Sequence, residues 1–154
     1  MRATEVAKRV GAGVADSRDE ALAADVVVTV TPGRKVVFDE GSLRPGQHVS
    51  LMGADGPGKQ EIAAGELARV HAFCDDWEQA SHNGDLVHAV EAGVVTRGHV
   101  AQLGDVLLGT ADGRQSDRDI TIFDSTGLAI QDLAIALAAI ERVDDMALPD
   151  IDLT

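Results

Sequence analysis

The segment Gly53-Ala-Asp-Gly-Pro-Gly-Lys-Gln60 concentrates residue types that do chemistry. Gly53, Gly58 and Lys59 stand almost at the spacing of a phosphate-binding P-loop, between a predicted strand and a predicted helix. Two residues oppose that reading. Gln60 stands where a Ser or Thr hydroxyl would hold magnesium. Asp55 would put a carboxylate inside a cradle meant to neutralise phosphate, where like charges at close range are costly. The plain alternative is a Gly/Pro-rich turn with a solvated Asp and Lys.

Three further segments carry candidate groups. In Asp124-Ser-Thr-Gly127 the hydroxyls are ordinary helix caps, worth about 1 kcal/mol each. Their functional reading is a helix N-terminus whose N–H groups and hydroxyls face a cofactor. Thr29-Val-Thr-Pro32 is either a strand stopped by proline or a small-residue ledge against which a cofactor lies. Asp75, Asp76, His82 and Asp85 follow no standard metal spacing, and dipole and capping effects at a helix start explain the acidic pair. Cys74 falls in an apolar strand and has no evident partner for nucleophilic work. The histidines are scattered, and no Gly-x-Ser-x-Gly elbow occurs.

The elements that must position these residues can be read from pattern. Asp25–Thr31 is a β-branched run of the kind found in buried parallel strands. His48–Gly53, Val70–Cys74 and Ile120–Phe123 are further strand candidates. Helices are expected over Thr4–Val10, after Ser17 with Glu20 completing a capping box, over Glu61–Arg69, from about Asp76, and from Leu128 to about Val143. Residues 82–116 read as short helices and turns. In the last helix Ile130, Leu133, Leu137 and Ile140 recur at helical spacing. Alternating strands and helices give an α/β fold with a mainly parallel sheet, where ligands sit beyond the carboxyl ends of the strands.

Composition narrows the function. The 154 residues include 13 basic and 26 acidic side chains, a formal charge of −13. Such a surface repels nucleic-acid backbones, and with no Tyr and one Trp the chain lacks aromatic stacking groups. No membrane span or signal segment is visible, so a soluble cytoplasmic protein is expected. One cysteine excludes an internal disulfide. The acidic, Lys-poor balance suits either concentrated salt or simple solubility.

The order of these segments resembles the ornithine cyclodeaminase/mu-crystallin family, including its archaeal-type alanine dehydrogenase branch. The resemblance rests on Ala24-Asp-Val-Val-Val-Thr-Val-Thr-Pro32, Gly53-Ala-Asp-Gly-Pro-Gly-Lys-Gln-Glu61, Asp75-Asp76 with Glu78-Gln79-Ala80, and Leu103-Gly104 with Val106-Leu107 and Gly109. It closes with Ser116-Asp117 and Thr121-Ile-Phe-Asp-Ser-Thr-Gly-Leu-Ala-Ile-Gln-Asp132.

The resemblance implies a Rossmann-type domain that binds NAD or NADP and acts on a small amino acid. Hydride leaves the substrate Cα to give an imine. Attack by a side-chain amine then leads from ornithine to proline and ammonia, and attack by water leads from alanine to a keto acid. By residue match, Asp55 is the catalytic carboxylate that orients or deprotonates the attacking group. Met52, Gly53 and Ala54 would lie along the nicotinamide. Lys59 matches a cofactor contact, Thr31 would border the cofactor, and Ser125 and Thr126 match positions beside nicotinamide and substrate. No metal is implied.

The family's pattern also includes features not found here. These are a substrate and dimerisation half with a catalytic lysine and a substrate-binding arginine, and the first strands with the glycine turn that seats the pyrophosphate. Residues 1–143 are therefore expected to form the C-terminal part of a Rossmann-type domain plus a return helix, with 144–154 an acidic tail. An exposed sheet edge should make the chain self-associate or take a second chain supplying the missing half. Alone, the chain is expected to show no turnover. The alternative is a non-catalytic binding protein of the mu-crystallin kind, or an inactive remnant.

Overall fold

A computed structural model describes residues 2–32, 35–54 and 56–143. Five strands form one sheet: β1 (Val26–Thr29), β2 (His48–Leu51), β3 (His71–Cys74), β4 (Val100–Gln102) and β5 (Thr121–Asp124). Their order is β1-β2-β5-β3-β4, and every pairing is parallel. The last strand of the chain thus enters the middle of the sheet.

Alternation along the strands decides the layers. One rung aligns Val27, Val49, Ile122, Ala72 and Val100, and all five are buried. The rung at the carboxyl ends aligns Thr29, Leu51, Asp124, Cys74 and Gln102 on the same face. Against this face pack Leu67 of α3 (Ala64–Leu67), Ala80 of α4 (Trp77–Asn83) and Leu86 and Ala89 of α5 (Leu86–Glu91), with Phe38, Leu43 and Ile62 from loops. The opposite face carries Val26 and Val28, which are 62% and 61% exposed. A parallel sheet is ordinarily covered on both faces; among the described residues this one is well covered on one.

Several boundaries differ from the sequence expectation for identifiable reasons. β1 stops at Thr29 because the Thr31 N–H leaves the ladder for the Glu61 carboxylate. The helix expected from Glu61 starts only at Ala64. The Glu61 carbonyl accepts from Val37 and Phe38 N–H, and Ile62 forms a parallel bridge with Phe38. The strand β4 falls inside the stretch read as helices and turns, and three residues are too few to show a period. It is followed by α6 (Leu103–Leu108), closed by Gly109 at φ +74°.

The N-terminal helix α1 runs Arg2–Val10 and ends on Gly11 at φ +70°. Ser17 caps α2 (Arg18–Leu22) by accepting from Glu20 N–H, but the Glu20 carboxylate takes Asp16 N–H, one residue before the cap. The final helix α7 covers Ala129–Ile140, and its apolar residues face outward: Ile130 is 68% and Ile135 71% exposed. The tail 144–154 lies outside the described residues.

Ile122 is fully buried in the central strand. Ile122→Ala should cost about 3 kcal/mol, read as a lower urea midpoint with an unchanged m-value.

Candidate functional site

The carboxyl ends of β1, β2, β5 and β3 converge, and the sequence candidates are the residues that leave them. Met52 N–H donates to the Thr29 carbonyl (2.9 Å) and Ser125 N–H to the Leu51 carbonyl (3.0 Å). Thr31, Met52, Gly53, Ala54, Ser125 and Thr126 are thereby brought to one end of the sheet. Ala54, Ser125 and Thr126 are buried, while Met52 is partly exposed. Asp55 lies outside the described residues. Lys59 follows three residues after Gly56, whose carbonyl accepts its N–H (3.2 Å); the Lys59 carbonyl accepts from His88 Nε2 (2.8 Å).

Glu61, fully buried, ties the first two strand ends together. Its Oε2 accepts from Thr29 Oγ1 (2.7 Å) and Gly53 N–H (3.0 Å), and its Oε1 from Thr31 N–H (2.8 Å). Only a glycine fits at position 53. A Cβ there would stand 2.5 Å from Glu61 Oε1, 2.5 Å from the Thr31 carbonyl and 2.6 Å from the Thr31 nitrogen.

Asp75 ties the other two. Its Oδ2 accepts from Ser125 Oγ (3.2 Å), Thr126 N–H (2.9 Å) and Gly127 N–H (3.1 Å), and its Oδ1 from Thr126 Oγ1 (3.0 Å) and Asp76 N–H (2.9 Å). Gln79 Nε2 adds bonds to the Thr126 and Gly127 carbonyls. This corrects the reading of Asp124–Gly127 as a capped helix start whose N–H groups face a cofactor. The N–H groups of 126 and 127 are occupied by a carboxylate, the hydroxyls point at the same group, and α7 begins after Leu128 without a Ser or Thr cap. The acidic pair also divides its labour. Asp76 caps α4 through Gln79 N–H (2.9 Å), whereas Asp75 braces the turn.

Two more buried acids continue the bracing. Asp85 precedes α5 but does not cap it; its Oδ1 accepts from Glu61 N–H (2.6 Å) and Ile62 N–H (3.1 Å). Asp124 caps α5 instead, with Oδ2 accepting from Leu86 N–H (3.0 Å). Gly84 makes room for it, since a Cβ at that position would press into the Asp124 carboxylate. Burial pushes Asp85 up to about 6, against the two N–H groups that stabilise its charge, and pushes Asp124 up to about 7. Burial, with Asp75 and Asp124 nearby, pushes the Cys74 thiol up to about 12, which leaves it an un-ionised core residue at neutral pH.

Sequence reasoning missed Glu61, whose place after Lys59-Gln60 looks like a routine helix start. It considered Asp75 and Asp85 only as capping groups or metal ligands. The available signal was an excess of acids at strand ends and at a short helix start, without a matching set of basic residues.

A model of the ornithine cyclodeaminase/mu-crystallin family matches residues 2–147. The chain belongs to the ornithine cyclodeaminase/mu-crystallin family. It is 48% identical over 125 residues to an alanine dehydrogenase of Archaeoglobus fulgidus, covering 80% of this chain and 39% of that protein. Among solved structures it resembles an archaeal alanine dehydrogenase dimer with bound NAD (40% identity, TM-score 0.86), covering 99% of this chain and 49% of that one. It also resembles the iminosuccinate reductase of Paracoccus denitrificans in complex with NAD+ (34% identity, TM-score 0.84), covering 94% and 45%. The chain thus spans about two fifths of the curated relative and about half of the solved chains.

Asp75→Ala would strand the N–H groups of Thr126 and Gly127 and should cost about 3 kcal/mol. Gly53→Ala should push the ends of β1 and β2 apart and cost at least about 2 kcal/mol. Urea unfolding of each variant, with amide exchange at Thr31 and Thr126, checks both: only G53A should deprotect Thr31.

Proposed function

We propose that this chain forms the nicotinamide side of an NAD-dependent amino-acid enzyme that works through an imine. The observation that carries this reading is the convergence of Thr31, Gly53, Ala54, Ser125 and Thr126 at the carboxyl ends of an all-parallel sheet, with Ala54 preceding Asp55 in the sequence. Support comes from the solved relatives, two of which carry NAD or NAD+ by name.

The residues suit the nicotinamide end of such a cofactor. They are small and uncharged, the Gly53 backbone has no Cβ, and Thr31 Oγ1 is buried without a partner among the described residues. They do not suit the pyrophosphate, since the N–H groups at Ser125–Gly127 are already bonded. The pyrophosphate seat would come from a preceding segment of the family pattern. When bound, the cofactor supplies a hydride acceptor for the substrate Cα, or a donor to the imine carbon.

This chain's residues then have defined tasks. Met52, Gly53 and Ala54 line the ring, Thr31 borders it, and Lys59 contacts the cofactor. Ser125 and Thr126, held by Asp75, face ring and substrate. Asp55 takes a proton from the attacking water or amine. Water attack gives a keto acid, as in an alanine dehydrogenase; amine attack gives a ring, as in an ornithine cyclodeaminase.

Two surfaces favour a covering partner, whether a preceding segment, a second chain or another copy. The outer edge of β1 is unpaired among the described residues and exposes Val26, Val28 and Val30. The outward apolar face of α7 adds Ile130, Leu133, Ile135, Leu137 and Ile140.

Co-expression with the preceding half of the Archaeoglobus fulgidus relative should yield an assembly that binds NAD and turns over L-alanine or L-ornithine, while this chain alone shows no turnover. Asp55→Asn in the assembly should lower kcat by at least about 100-fold and leave the NAD Kd nearly unchanged. An assembly that forms but binds no NAD overturns the reading, and so does turnover that survives the substitution.

A further inference from the structure

Three buried acids form a chain beneath the strand ends. Asp124, on β5, caps α5. Asp85, at the start of α5, turns away from its own helix and holds the Glu61 and Ile62 backbone. Glu61 holds Thr31 and Gly53. All three side chains are fully buried. Among the described residues one oxygen of each aspartate has no partner: Asp85 Oδ2 and Asp124 Oδ1. A carboxylate oxygen is only an acceptor, whereas a protonated carboxyl brings a donor.

We propose that Asp85 and Asp124 together bind one proton that is released near neutral pH, and that this proton positions the backbone of Glu61 and Ile62 and thereby the Thr31 and Gly53 strand ends. The groups facing the pair are Glu61 from the loop after β2, Asp75 from the end of β3, Cys74 on β3 beside Asp124, and His88 on α5. Glu61 and Asp75 raise the cost of a second negative charge. His88, able to carry positive charge, lowers it for Asp85 alone. Cys74 remains a neutral thiol.

Loss of the proton would leave two buried carboxylates near the start of one short helix, Asp124 on the Leu86 N–H and Asp85 one residue before it. The repulsion falls on Asp85, and Asp85 is what anchors Glu61. Asp85 and Asp124 are therefore positioning residues that never need to touch a ligand. The proposal is independent of which cofactor or substrate the site takes.

The sign of the pH dependence follows from the raised values, about 6 and about 7 against an ordinary carboxyl near 4. Between these limits the folded chain binds more protons than the unfolded one. This contribution to stability is therefore fully present below about pH 4 and is lost as pH rises through about 7.

The test uses this chain as it stands. Carbon-13 NMR of the aspartate carboxyls, with nitrogen-15 spectra, is recorded from about pH 5 to pH 8. One carboxyl of the pair should titrate with a midpoint above pH 6, and the Glu61 and Ile62 amides should shift with the same midpoint. Trp77 fluorescence, the chain having a single tryptophan, should show the urea midpoint falling across that range. Asp124→Asn, which keeps shape and a donor, should flatten the fall and abolish the titration of both amides. If both carboxyls titrate below pH 5, or if the amides ignore the titration of the pair, the proposal is overturned. The wild-type titration decides the matter if the variant does not fold.

Discussion

The constraint on which the site depends is the burial of Glu61. A carboxylate cannot leave water without donors, and the donors it takes are the Thr29 hydroxyl and the Thr31 and Gly53 N–H groups. Each of these would otherwise be a loose strand end. Meeting the needs of one acid therefore aligns two strands, ends β1 early and delays α3 until Ala64. It also forces glycine at 53, because the space a Cβ would need is filled by the carboxylate and the Thr31 backbone. Asp75 repeats the device on the other side, where one carboxylate gathers five donors from the β3 end and the β5 turn. The site is thus braced from beneath by acids and presents mainly small residues above.

Such bracing is hard to read in sequence. The β-branched run Val26–Val30 and the Gly53–Lys59 loop advertise themselves locally, and both were legible, as was the gathering of Thr31, Gly53 and Ser125 at strand ends. The parallel sheet follows from the same runs, because strands buried on a face and separated by helices have few other arrangements. Asp75 was legible as a capping residue only, since its real partners lie about fifty residues away in sequence. Glu61 was hidden because an acid near a helix start needs no explanation. Asp85 is a third case: it stands just before α5, where a residue ordinarily caps, and here Asp124 from another element takes that task. Each failure is a long-range bond competing with a plausible local one.

The apolar stripe of α7 shows the converse. Its spacing correctly predicted a helix, and that helix lies outside the described core. Spacing reports the period of a helix and not the burial of its apolar face. The described core is already filled by Phe38, Leu51, Ile62, Leu67 and Leu86 on one side of the sheet. The helix contributes nothing to that core, and Val26 and Val28 on the other side find no cover there either. A one-sided parallel sheet and an outward apolar helix are the same observation made at two places: the chain carries interior surface beyond what its own described residues bury.

The acids beneath the site also settle the meaning of the P-loop-like spacing. A phosphate cradle works because N–H dipoles and a lysine create a positive potential. At these strand ends the N–H groups of Thr31, Gly53, Thr126 and Gly127 are spent on Glu61 and Asp75, so the local field is set by carboxylates. Such a field repels a triphosphate and is friendlier to a group that is neutral or carries positive charge, as an oxidised nicotinamide does. The same bonds thus disqualify the loop as a nucleotide-triphosphate site. Gly53 in this loop serves close packing against the Glu61 carboxylate and the Thr31 backbone rather than the wrapping of phosphate.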